Sequence, residues 1–193
     1  ESAVQANRLD GTKIPVRIFV DKNGMIDWGI RPKQLQPIAD QAAEALNFFR
    51  DVYQVDYPYS KLDLVNDPFG AFYGQAPSSI VYLGSGVFRG EGMLGSAGGS
   101  GLTTFVKTVV PHEVAHQWWG SLVANANMRN YWFIETLAEF SSALFVEARQ
   151  GRKAYDAHVA EWRRAVLETD LMSSVQDATT VWSGDGGNFP GQV

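Results

Sequence analysis

Two histidines four residues apart, with a glutamate directly after the first, constrain this chain more than any other feature: His112-Glu113-Val114-Ala115-His116. On an α-helix, positions i and i+4 lie one above the other on the same face. The two imidazoles can therefore address one point. Glu135 follows after a spacer of eighteen residues. Zinc takes histidine nitrogen and carboxylate oxygen, and a catalytic zinc site uses three protein ligands and leaves one position for water. His112, His116 and Glu135 meet that requirement for a single Zn2+ ion. Glu113, one position round the helix, is then placed to touch the water rather than the metal. The alternative is a helix with two unrelated, exposed histidines. Against it, the chain has 3 histidines and two of them stand in the motif. Glu135 also lies in the apolar stretch Trp132-Phe133-Ile134-Glu135-Thr136-Leu137-Ala138-Glu139-Phe140, where an unpaired carboxylate is costly to bury.

Two further residues follow from the same helix geometry. Glu139 lies one turn beyond Glu135 on the same face, and a metal-bound histidine usually donates its other N–H to a carboxylate or carbonyl. Glu139 is thus a candidate partner for His112 or His116. His158 follows no ligand spacing and reads as a surface or packing histidine.

Composition narrows the function classes. A net charge of −5 argues against nucleic acid as a partner, which needs a basic footprint. With 0 cysteines there is neither a disulfide framework nor a thiolate metal site, and the compartment is left open. No apolar run reaches the ~18 residues that cross a bilayer. The 45% hydrophobic content supports a real core in one domain spanning residues 1–193. Glu1 in place of an initiator methionine predicts an excised or processed piece of a longer polypeptide.

The domain divides into a sheet-rich half, 1–101, with one helix and a glycine-rich loop, and a helical half, 102–193, that carries the metal motif. Lys13–Val20 reads as a strand, and Pro15 pushes it toward an edge or a strand start. Asp21-Lys22-Asn23-Gly24 is a turn signal. Pro32 opens a helix whose apolar stripe runs through Leu35, Ile38, Ala39, Ala42, Leu46, Phe49 and Val52. Leu62–Val65 and Ile80–Leu83 are short strands, the second an edge able to pair with an extended peptide. Gly84 to Gly101 reads as a long loop; it lacks the Gly-Lys-Ser/Thr ending of a phosphate loop. Pro111 inside the metal helix predicts a kink or a helix restarting there. Tyr131–Gln150 is a helix stopped by Gly151. A third runs from Arg152 to about Ser173, with Tyr155, Val159, Trp162, Ala165, Val166 and Leu171 as apolar positions. Asp177–Val193 is coil-like, with a turn cluster at Ser183–Gly187.

His112–Gly120, the eighteen-residue spacer and Trp132-x-x-Glu135 resemble the M1 family of zinc metallopeptidases, aminopeptidases of the gluzincin group. The similarity extends more softly upstream through Tyr57-Pro58-Tyr59 and Lys61–Val65. It implies an α+β, thermolysin-like zincin catalytic domain: a small mixed sheet followed by a helical half carrying the zinc site. It also implies zinc-dependent peptide hydrolysis, with Glu113 as general base and a peptide as substrate. A zinc-containing scaffold without turnover, an endopeptidase or another zinc hydrolase on the same fold are the alternatives; the intact Glu113 favours turnover. Two places depart from the family. The segment in which the family carries Gly-x-Met-Glu-Asn, whose Glu grips the substrate's α-amine, has Gln75 at the Glu position, so a neutral amide replaces a charge. The usual Asn-Glu-Gly around the third ligand becomes Ile134-Glu135-Thr136. The family's oxyanion-stabilising tyrosine falls beyond Val193, and Tyr155, the nearest tyrosine within the chain, fits no such pattern. Weak hydrolysis by these 193 residues alone is the expectation.

Overall fold

In Lys13–Phe19 the alternation of apolar residues becomes a strand: Ile14, Val16 and Ile18 are buried while Lys13 and Pro15 face out. The computed structural model describes residues 2–20, 30, 32–68, 73–89, 100–127 and 130–172. The predicted turn at Asp21–Gly24, most of the glycine-rich run and the tail from Asp177 lie outside them.

Five strands form one mixed sheet in the order β1-β2-β3-β5-β4. They are β1 (Ser2–Asn7), β2 (Lys13–Phe19), β3 (Leu62–Asp67), β4 (Gly74–Gln75) and β5 (Ile80–Gly84). The central pairs β2–β3 and β3–β5 are parallel, and the outer pairs β1–β2 and β4–β5 are antiparallel. β1 escapes the sequence reading because its one buried apolar side chain is Ala6. Its presence corrects part of the expectation for Pro15. β2 is not an edge, but Pro15 sits near its start, and the β2–β3 ladder begins one residue later at Val16. The expected edge at Ile80–Leu83 is also corrected: Gly74 and Gln75 pair with Leu83 and Tyr82, so β4 holds that edge.

Helix α1 (Pro32–Tyr53) supplies the crossover from β2 to β3 and opens at Pro32 as its fixed φ favours. Leu35, Ile38, Ala39, Ala42, Leu46 and Phe49 are buried as the stripe predicts; Val52, in the last turn, is exposed. Where a loop was expected after Gly84, α2 (Ser85–Arg89) makes one short helical segment and buries Val87 and Phe88.

Three longer helices follow: α3 (Ser100–Ala115), α4 (Tyr131–Gln150) and α5 (Arg152–Met172). α3 packs on α1 and α4, and α5 packs on α4. Gly151, at φ +85°, separates the last two and donates its N–H to Glu147 O at 2.8 Å, closing α4. On α5, Tyr155, Val159 and Trp162 are partly buried, whereas Val166 is exposed, against the sequence expectation. Among the described residues no helix is long and apolar enough to cross a membrane.

α3 runs unbroken through Pro111, so the helix does not restart there. Proline has no N–H to give the carbonyl four residues back, that of Lys107. Gln41 of α1 fills the gap, its Nε2 donating to Lys107 O at 3.0 Å. This bond fastens α1 to the helix that carries the metal motif.

Candidate metal centre

α3 delivers His112 in its last turn and His116 just past its regular end, where the His116 N–H still reaches His112 O at 3.3 Å. The i, i+4 relation therefore survives the end of the helix. Gly120, at φ +117°, then folds the chain back and donates its N–H to Val123 O at 2.9 Å. That reversal leads to α4, whose second turn brings Glu135 over the histidines. The Nε2 atoms of His112 and His116 are 3.1 Å apart, and Glu135 Oε2 is 3.4 Å from each. Among the described residues these three side chains form the one group of donor atoms that could hold a metal ion, all within 4.8 Å of one another.

Both ring orientations are set from behind. His112 Nδ1 lies 2.8 Å from Glu139 Oε2, and His116 Nδ1 lies 2.9 Å from the carbonyl oxygen of Trp119. Neither acceptor can donate, so each Nδ1 carries a proton and each ring turns its Nε2 toward Glu135. The Trp119 carbonyl is steadied in turn, because its indole Nε1 donates to Tyr53 Oη at 3.0 Å and to Ser141 Oγ at 3.2 Å.

The electrostatics call for a cation. Burial works against charging His112, but hydrogen bonds to Glu135 and Glu139 win and push it up to about 10. Burial also works against ionising Glu135 and Glu139, yet their histidine partners hold both well below the usual carboxylate range. Glu113 is different. It is buried, burial raises its pKa, and the nearby histidines oppose that rise without cancelling it. Two imidazole nitrogens and one carboxylate oxygen match the donor preference of zinc; a calcium or magnesium site would present oxygen throughout.

Of the residues singled out in the sequence, His112, His116, Glu135 and Glu139 come together, with Glu113 buried on the same helix. Gln75 does not meet them. It is exposed on β4, and its neighbour Gly74 is the residue that backs onto Glu113. A Cβ at position 74 would lie 2.3 Å from Glu113 Oε1 and 2.5 Å from its Cδ, so a larger residue would force strand or carboxyl to shift. Tyr155 is half-buried beside the guanidinium of Arg152.

His158, read as a surface or packing histidine, is buried, with Nε2 at 3.2 Å from Glu139 Oε1. Trp162 Nε1 donates to the same oxygen at 2.8 Å. Tyr131 was also missed: burial and the charge of Glu135, to which its hydroxyl donates, raise its pKa. The signal available in the sequence was spacing: Tyr131 stands four before Glu135, and His158 four before Trp162.

A His-Glu-x-x-His helix end answered by a glutamate on the next helix defines the gluzincin class of metallohydrolase site. Residues 38–185 match the Peptidase family M1 domain. The chain belongs to peptidase family M1. It is 37% identical over 175 residues to Aminopeptidase 2 of Candida albicans, covering 89% of this chain and 16% of that protein. It is 31% identical over 146 residues to Aminopeptidase M1-B of Oryza sativa subsp. japonica, covering 75% of this chain and 15% of the relative. Among solved structures, the aminopeptidase A of Legionella pneumophila, in complex with aspartic acid, shares the fold with a TM-score of 0.61 at 17% identity. That match covers 76% of this chain and 16% of the other.

Proposed function

We propose that this chain is the metal-binding catalytic portion of a zinc-dependent peptidase that acts in the manner of an aminopeptidase. The observation that carries the reading is the convergence of His112, His116 and Glu135 on one point, with both histidines presenting Nε2. These three residues would hold one zinc ion. When bound, zinc polarises a carbonyl and lowers the pKa of water to about 7.

The remaining work falls to the chain itself. Glu113, buried and raised in pKa, accepts a proton from the water that attacks the peptide carbonyl carbon and returns it to the nitrogen as the C–N bond breaks. Gly74 leaves room for the Glu113 carboxyl, and β4 offers an edge along which an extended peptide can lie. Gln75, next along that edge, is an exposed neutral amide away from the metal-site residues, so the preference for a free amino terminus is expected to be loose. The names of the relatives support the aminopeptidase reading.

The test joins metal analysis to hydrolysis. The chain should take up one zinc, and Glu135→Ala should lose it. Glu113→Gln should keep the zinc and lower kcat by about 10²–10⁴-fold, the usual worth of a general base. No zinc uptake, or activity in Glu113→Gln within a few-fold of the parent, refutes the reading. Comparing free and N-blocked peptides then measures how much the amine matters.

A further inference from the structure

We propose that His158 and Trp162 are positioning residues for the metal site: they lock the Glu139 carboxylate, and through it they aim His112. The inference rests on the reading of His112 as a metal ligand and extends the site into α5, which the family motif does not include.

A carboxylate held at one oxygen can swing about its χ angles, and an imidazole leaning on it swings too. Here both oxygens are occupied. Oε2 faces His112 Nδ1 at 2.8 Å, while Oε1 accepts from Trp162 Nε1 at 2.8 Å and from His158 Nε2 at 3.2 Å. An ionised carboxylate only accepts, so Nε2 of His158 must bear a proton. The donors on Oε1 come from α5 and the donor on Oε2 from α3, so Glu139 of α4 is gripped by two helices at once. His158 and Trp162 share one face of α5 at i, i+4. Their ring centroids are 4.6 Å apart with planes inclined at 64°, so each ring limits the rotation of the other. His158 is 5% exposed, and its Nε2 is turned to Glu139. An apolar side chain would fill such a place more cheaply if packing were the whole requirement. The hydrogen-bond partner of a metal ligand, here Glu139, typically carries 10–100-fold in metal affinity, and the groups that hold that partner carry a share of it.

The experiment measures zinc affinity by chelator competition for the 193-residue chain and for Trp162→Phe, His158→Leu and His158→Gln, with the thermal midpoint of each metal-free form. Trp162→Phe keeps an aromatic side chain and removes the indole N–H with part of the ring volume; it and His158→Leu should each weaken zinc about fivefold or more. The metal-free midpoint of Trp162→Phe should stay near that of the parent. His158→Gln restores an N–H at similar reach and should bind within about threefold of the parent. In the cobalt-substituted protein, the visible spectrum should shift in Trp162→Phe and His158→Leu and return toward the parent in His158→Gln. Trp162→Phe binding zinc within about twofold of the parent overturns the proposal, and so does a His158→Gln as weak as His158→Leu. If His158→Leu fails to fold, Trp162→Phe decides. A parent chain that takes up no zinc overturns this proposal together with the proposed function; a parent that binds beside unaffected variants overturns this one alone.

Discussion

Two charge clusters in this molecule invite comparison. On the sheet, Asp63 of β3 receives Arg17 Nε and Nη2 at 2.7 and 2.8 Å, and Lys61 Nζ also contacts it. One anion there meets two cations, and the cluster is closed on itself. Between α3, α4 and α5 the balance is reversed: Glu113, Glu135 and Glu139 gather around His112 and His116, three carboxylates to two imidazoles. The difference teaches which cluster is structural. Asp63 is settled within the fold, whereas the helical cluster leaves negative charge that a cation must answer. A proton on His112 does so in part, and a divalent metal would replace it.

The largest expected consequence of this contrast is metal-linked stability. Zinc at about a thousand times its dissociation constant should raise unfolding free energy by about 4 kcal/mol, and a chelator should remove the gain. Denaturant titrations with zinc and with chelator check it; superimposable curves would show that the helical cluster is as closed as the sheet cluster. Next in size is Glu139→Ala, which removes the acceptor behind His112 and leaves the buried His158 without its partner. Zinc affinity should fall about 10–100-fold, read by chelator competition. The smallest effect belongs to the sheet. Burial tends to raise Asp63, but Arg17 and Lys61 prevail and hold it below its ordinary 3.8. Its contribution is therefore complete above about pH 4 and is lost as the pH falls through the lower folded value. Asp63→Asn should cost about 1 kcal/mol at pH 7, a modest figure because both cations stay partly solvated, and should leave zinc affinity unchanged. Acid unfolding of the two proteins should converge at the lowest pH.

The metal helix and Glu139 were legible from helical spacing, Glu135 from its eighteen-residue spacer and apolar surroundings, and the range of α4 because Gly151 stops a periodic apolar run. What escaped depends on contacts between elements. β1 has too little apolar content to declare itself alone and exists by pairing with β2. α2 hides at the start of a glycine-rich run, and packing of Val87 and Phe88 makes it helical. His158 looked unremarkable because its target, Glu139, lies on another helix, and local periodicity says nothing of which helix faces meet. Gly74 was invisible for the same reason: its meaning lies in the nearness of Glu113.

Pro111 carries a consequence for how the site comes into being. A short peptide spanning the two histidines would be a poor helix, with a proline costing about 3 kcal/mol in its interior and a length too small for independent stability. In the folded chain, Gln41, distant in sequence, supplies the donor that the proline withholds. The common point of the two imidazoles thus leans on α1 as well as on the motif itself. The five letters of the motif are thereby only part of the zinc-binding device; the rest is the helix packing that holds them in place.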